Sequence, residues 1–112
     1  MTWLPLTGLT ELETILLHSH QKPQLIFKHS TRCSVSFIAK NRLDRGGELP
    51  GVDCHYIDLI TYREVSNAIA EKLQVVHQSP QVLLIHKGEC VFEETHNAID
   101  FEEIADQVAR LQ

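Results

Sequence analysis

The apolar residues of this chain follow two spacings, and together they predict an alternation of helices and strands. Apolar residues at helical intervals predict four helices, at about residues 9–18, 34–45, 61–74 and 100–111. Short apolar runs predict strands at residues 25–27, 52–57, 82–85 and 90–93, with a weak strand at 3–6. Polar turns and glycine or proline separate these segments, as expected between regular elements.

Capping patterns refine where the helices begin. Thr10 and Thr61 each precede a glutamate by three positions, which predicts a capping box at each threonine. Asp100 precedes Glu103 by the same interval and is predicted to be the N-cap of the last helix. The early strands alternate with helices, whereas Lys87-Gly88-Glu89 predicts a hairpin turn. We therefore expect an α/β fold, with a mixed central sheet and helices on both faces.

Length and charge narrow the possible classes of protein. The 112 residues carry a net charge of −5, so we expect a single domain over residues 1–112 and no nucleic-acid partner. Residues 28–45 nevertheless hold a local net charge of +4. No long apolar stretch and no signal-like N-terminus is evident, which favours a cytoplasmic protein without a membrane partner.

Three cysteines, at positions 33, 54 and 90, cannot all pair within one chain. An odd number of cysteines in a reducing compartment favours free thiols. The sequence has no C-x-x-C pair, and its seven histidines do not follow the spacing of a metal site. We therefore expect no metal ion and no bound cofactor.

Cys33 is the strongest candidate for chemistry. It lies where a polar turn passes from an apolar strand into a helix, and Ser36 stands where a second cysteine would complete a C-x-x-C motif. Free N–H groups at a helix N-terminus stabilise a thiolate, which is the nucleophilic form of cysteine. Lys28 and Arg32 either favour that anion or belong to a solvated surface. His29 either pairs with the thiolate or faces solvent, and the residues leave both interpretations open.

The other two thiols fit structural roles better. Cys54 lies in an alternating strand, which predicts packing in the core. Cys90 begins the second strand of the hairpin, where a structural role is expected and a resolving role is the alternative.

The order of elements, a cysteine at a strand-to-helix turn and a Ser-Pro before a hairpin together resemble the thioredoxin fold. Within that fold the chain resembles the monothiol bacilliredoxin-like family, through residues 27–36, 78–81 and 94–96. The family commonly has proline directly after the cysteine, and this chain has Ser34 there.

The resemblance implies Cys33 as the catalytic nucleophile. It implies that the supporting residues of the turn are Thr31, Arg32, Ser34 and Ser36. It also implies that Ser79 and a cis Pro80 face the cysteine and bind the incoming substrate. The co-substrate would be bacillithiol or another low-molecular-weight thiol, and the partners would be S-thiolated client proteins.

The activity implied is reduction of mixed disulfides between that thiol and client proteins, by exchange at a single cysteine. Two alternatives remain open. A thioredoxin-like adaptor would use the same surface without redox catalysis, and a glutaredoxin-like enzyme would use glutathione. Direct reduction of peroxide is a further possibility on this fold.

Overall fold

The computed structural model of the protein describes residues 1–111, and its elements follow the predicted order. The helices and strands are β1 (Leu4–Pro5), α1 (Leu9–His18), β2 (Gln24–His29), α2 (Ser34–Gly46), β3 (Asp53–Asp58), α3 (Arg63–Leu73), β4 (Gln81–His86), β5 (Glu89–Thr95) and α4 (Phe101–Ala109). A short 3₁₀ turn at His96–Ala98 joins β5 to α4.

The five strands form one mixed sheet in the order β1-β3-β2-β4-β5. The strands β1, β3 and β2 are parallel, as required when helices connect them, whereas β4 runs antiparallel to both of its neighbours. The central strand β2 is buried along its whole length, which explains why its residues 25–27 form a continuous apolar run rather than an alternating pattern.

Helices cover both faces of the sheet, as expected. On one face α2 and α4 pack against side chains of β2 and β4, with a core that includes Leu25, Phe27, Leu43, Leu84 and Ile104. On the other face α1 and α3 pack on the alternate residues of the same strands, with a core that includes Leu12, Ile26, Ile69, Leu83 and Ile85. Successive residues of one strand therefore belong to different cores.

The cap predictions have mixed outcomes. Asp100 is the N-cap of α4, since its Oδ2 accepts a hydrogen bond from Glu103 N–H at 3.1 Å, as predicted. The capping box at Thr10 is wrong, because α1 already begins at Leu9 and its N-cap is Gly8.

None of the helices found within residues 1–111 is long and apolar enough to cross a membrane.

The capping box at Thr61 is also wrong. The helix α3 begins two residues later, at Arg63, and its N-cap is Tyr62. The Thr61 hydroxyl instead donates to Asp58 Oδ2 at 2.7 Å, so it closes the turn that follows β3. Threonine hydroxyls bond equally well within a turn, and a sequence pattern does not distinguish the two uses.

Candidate active site

Cys33 lies at the junction between the central strand and a long helix. The strand β2 ends at His29, and Cys33 is the N-cap of the 13-residue α2, with extended backbone angles of φ −120° and ψ 119°. Its side chain is partly exposed and makes no capping hydrogen bond to the helix. The first N–H groups of α2 thus stay available to stabilise negative charge on the sulfur.

Ser30 shapes the turn that carries Cys33. Its carbonyl accepts a hydrogen bond from Cys33 N–H at 3.3 Å, and its hydroxyl accepts one from Arg32 N–H at 3.3 Å. Thr31, Arg32 and Ser34 are exposed around the cysteine. Arg32 forms no ion pair with any described residue, so its charge is not neutralised by a neighbouring carboxylate.

Ser36 is buried beneath the turn, and its hydroxyl is occupied. Ser30 N–H donates to Ser36 Oγ at 3.0 Å, and Ser36 Oγ lies 2.6 Å from His29 Nδ1. The hydrogen bonds among residues 1–111 include none to Cys33 Sγ. The Ser36 hydroxyl is therefore bonded to His29 and Ser30, and it makes no hydrogen bond to the sulfur of Cys33. Ser36 instead fixes the strand end against the helix.

His29 is buried, so the interpretation in which it faces solvent is wrong. It follows Phe27 by two positions on β2 and therefore points to the same face of the sheet, toward α2. The rings of Phe37 and Tyr56 lie 4.6 and 5.5 Å from the imidazole, measured between ring centroids.

This environment keeps the His29 imidazole neutral. Burial, and secondarily the Lys40 ammonium, lower the pKa of His29, although Asp58 and a hydrogen bond with Ser36 act in the opposite direction. A neutral ring suits a position where it shares a hydrogen bond with a serine hydroxyl and contacts aromatic faces.

The Ser79–Pro80 peptide bond is cis, and it lies across from the cysteine turn. In the antiparallel register of β2 and β4, the last pair is Lys28 with Gln81, so Pro80 and Ser79 precede β4 at the end of the sheet where β2 stops. The Ser79 hydroxyl is buried and has no hydrogen-bond partner among the described residues. The structure thus places Cys33 and the Ser79–Pro80 loop at the same end of the sheet.

Gln81 holds that loop in place, a role that the sequence did not indicate. Its side chain is fully buried, and its Nε2 donates to Val76 O at 3.2 Å and to Glu93 Oε2 at 2.9 Å. Its Oε1 accepts a hydrogen bond from Gln78 N–H at 3.3 Å. A glutamine directly after an X-Pro pair is a weak sequence signal, because the bonds it makes depend on the loop conformation.

Lys28 does not lie beside Cys33, although it is close in sequence. It points to the α1/α3 face of the sheet, where it is fully buried and its Nζ lies 3.2 Å from His77 Nδ1. Burial lowers the pKa of Lys28 to about 8. Closeness in sequence did not place Lys28 beside the thiol, because neighbouring residues of a strand point to opposite faces of the sheet.

Cys54 and Cys90 lie far from the turn. Cys54 pairs with Leu25 and Cys90 with Ile85, both at the end of the sheet remote from residue 29. His29 follows Leu25 by four positions of the strand, so their Cα atoms are roughly 13 Å apart. A disulfide needs Cα atoms within about 7 Å of each other. Burial raises the pKa of the Cys54 thiol to about 11, and it does the same for Cys90. The core position predicted for Cys54 is confirmed.

Comparison with known proteins agrees with this geometry. The model of the family described as monothiol bacilliredoxin BrxC matches residues 4–104. A solved structure of a protein proposed to be an oxidoreductase with a thioredoxin fold is 26% identical, with a TM-score of 0.81, over 92% of this chain and 90% of that one.

Thioredoxins themselves are more distant in sequence but share the fold. Thioredoxin from Trypanosoma brucei brucei is 11% identical with a TM-score of 0.78, over 98% of this chain and 90% of that one. An N21Q mutant thioredoxin from Halobacterium salinarum NRC-1 is 19% identical with a TM-score of 0.74, over 96% and 88% of the two chains. The α/β fold predicted from the sequence is thus a thioredoxin fold. The chain belongs to the monothiol bacilliredoxin family, and its function lies in thiol–disulfide redox chemistry.

Proposed function

We propose that the protein removes a low-molecular-weight thiol, bacillithiol, from S-thiolated client proteins, with Cys33 as the only catalytic nucleophile. The observation that carries this proposal is the pairing of one partly exposed N-cap cysteine with a buried Ser36 three residues later. A turn with one cysteine supports exchange through a mixed disulfide and does not support formation of a disulfide within the turn.

The first step of the proposed reaction is attack on the mixed disulfide of the client. The Cys33 thiolate attacks the bacillithiol sulfur, so a Cys33–bacillithiol disulfide forms and the bond between bacillithiol and the client sulfur breaks. The client leaves as a thiolate and takes a proton from water. The client is thereby reduced by two electrons, and Cys33 is oxidised to the mixed disulfide.

A free low-molecular-weight thiol completes the cycle. Its thiolate attacks the bound bacillithiol sulfur, which releases a disulfide between the two small thiols and returns Cys33 to the reduced form. The other two cysteines do not enter this scheme, because Cys54 is buried and both Cys54 and Cys90 are remote from the turn.

The surroundings of Cys33 support binding of both halves of the substrate. The exposed Ser34 and Arg32 flank the sulfur, and the Ser79–Pro80 loop offers backbone groups to an extended segment. Phe37 is 46% exposed one helical turn after Cys33, and Val76 is 78% exposed in the segment before Ser79. These apolar surfaces suit contact with the polypeptide of a client.

The experiment that tests this proposal measures reduction of a bacillithiolated client protein by free-thiol titration. Wild type is expected to release one client thiol per molecule in a single turnover, and Cys33→Ala is expected to release none. Cys90→Ala serves as the matched control and is expected to behave as wild type. Release by Cys33→Ala would overturn the proposal, and an unreactive wild type would favour an adaptor role on the same fold.

A further inference from the structure

Lys28 carries a positive charge that no carboxylate balances. Its side chain is fully buried in the α1/α3 face, and none of the carboxylates in residues 1–111 lies within ion-pair distance of its Nζ. Among the described residues, its one hydrogen-bonding partner is His77, with Nζ and Nδ1 3.2 Å apart. Because a lysine ammonium only donates, His77 Nδ1 accepts and the ring proton is on Nε2. The lysine therefore fixes both the tautomer and the orientation of the ring.

The groups around His77 are positive or neutral. Ser66 Oγ of α3 lies 3.5 Å from Nδ1, and burial together with the nearby charges of Lys28 and Arg63 lowers the pKa of His77. Asp58 accepts hydrogen bonds from the turn at Ile60 and Thr61, and no carboxylate of residues 1–111 forms an ion pair with His77. Glu93 accepts from the Gln81 amide. The exposed, neutral imidazole of His77 is thus near two cations, Lys28 and Arg63, and forms no ion pair with a described carboxylate.

This cluster lies at the end of the sheet that carries Cys33. His77 is two residues before Ser79, in the loop that the Gln81 side chain holds in place. Arg63 begins the helix that follows β3, and the last residue of β3 pairs with His29. Two segments of the chain therefore present cationic or N–H-donating groups on the α3 side of the turn, while Cys33 and Arg32 lie on the α2 side.

From this arrangement, and on the basis of the function proposed above, we infer that His77 binds a carboxylate of the low-molecular-weight thiol while that thiol is transferred to Cys33. Nε2–H is the donor, and it is polarised because a cation already donates to the other ring nitrogen. His77 contacts the substrate, whereas Lys28 is a positioning residue that acts through His77. The site thus favours an anionic thiol over a neutral one of similar size.

The test compares three mixed disulfides by intact-mass kinetics of adduct formation at Cys33. The first joins 3-mercaptopropionate to a neutral peptide, the second joins 2-mercaptoethanol to the same peptide, and the third joins 2-mercaptoethanol to an acidic peptide. In each, Cys33 attacks the small thiol's sulfur and the peptide leaves as a thiolate. His77→Ala is expected to slow the first reaction about 5- to 10-fold and to leave the other two within about twofold.

His20→Ala is the matched control, since His20 is also exposed but lies by Gly88 in the hairpin turn, at the opposite end of the sheet. It is expected to leave all three rates unchanged. Equal slowing of the first two reactions by His77→Ala would overturn the inference, as would slowing of the third, which places the bound carboxylate on the client. A wild type that forms no adduct with any probe would instead overturn the proposed function itself.

Lys28→Met tests the positioning role separately. Its readout is the ¹⁵N spectrum of the His77 ring, which in wild type is expected to be that of a single tautomer protonated at Nε2. The variant is expected to show a mixture of both tautomers and to lose part of the preference for the carboxylated thiol. An unchanged tautomer together with an unchanged preference would contradict the positioning role of Lys28. The role of His77 is tested by His77→Ala.

Discussion

At the scale of single residues, the contact between His29 and Ser36 organises the turn from below. The imidazole is 1% exposed and lies among aromatic rings, and its only polar side-chain partner in the described residues is the Ser36 hydroxyl. Protonation of His29 would place a charge in that apolar environment near the ammonium of Lys40. Folding therefore favours the neutral form of His29.

This burial makes stability depend on pH in a defined direction. The folded-state pKa of His29 is lowered from about 6.5. The unfolded chain thus binds a proton that the folded chain does not. The contribution of His29 is fully present above about pH 6.5 and is lost as the pH falls from there toward the folded-state value.

We expect His29→Phe to show a smaller loss of unfolding free energy between about pH 7.5 and pH 5.5 than wild type does. Phenylalanine fills the aromatic site but does not titrate. Urea unfolding at the two pH values measures the difference. His55 and His77, whose pKa values burial also lowers, leave a residual slope in the variant. An equal pH-dependent difference in the two proteins would contradict the account of His29.

The sequence predicted some of these residues and not others, for a physical reason. Cys33 could be predicted, because a polar turn between an apolar run and a helical pattern places it at a helix start. The bond between His29 and Ser36 could not, since spacing alone does not give the direction of a ring at a strand end. The same uncertainty applies to Lys28. Strand alternation turns its side chain to the face opposite Cys33, where it is buried rather than solvated.

At the scale of elements, the contact between α2 and α4 keeps α2, the helix that begins after Cys33, in position. Gly46, the last residue of α2, lies so close to Phe101 that a Cβ at Gly46 would overlap the inner atoms of that side chain. Those atoms are near the backbone of α4, so rotation of the ring does not relieve the overlap. The absence of a side chain at residue 46 thus sets how closely the two helices approach.

Gly46→Ala is expected to lower the free energy of unfolding by about 1–3 kcal/mol, because the helices must separate to admit the methyl group. Urea unfolding measures this loss. Gly8→Ala is the matched control, since its Cβ would meet only Glu11 Oε1 at 3.5 Å, and its cost is expected to stay below about 1 kcal/mol. Equal costs for both variants would show that the approach of α2 to α4 is not tightly packed.

Element order was easier to predict than element boundaries. Apolar periodicity extends over ten or more residues and is insensitive to a single wrong assignment, so all four helices and the hairpin were anticipated. Each boundary depends on one or two hydrogen bonds instead. Thr61 illustrates this, since its hydroxyl closes the turn at Asp58 rather than capping α3.

At the scale of the whole molecule, the fold places Cys33 at one end of the sheet and the other two thiols toward the opposite end. Cys33 follows the end of β2, at the end of the sheet where β4 begins. Cys54 and Cys90 lie toward the opposite end, where burial raises the pKa of both thiols to about 11. The order of elements predicts this separation only after the strand register is known, and register is not contained in the apolar pattern alone.

The most direct test of the central claim, that Cys33 alone accepts the transferred thiol, is peptide mapping by mass spectrometry. Wild-type protein is exposed to a bacillithiolated client, trapped at low pH and digested without reductant. We expect the added mass of bacillithiol on the peptide that contains Cys33, and unmodified thiols at Cys54 and Cys90. Bacillithiol found on either of those two cysteines, or absent from Cys33 while the client is reduced, would contradict the account.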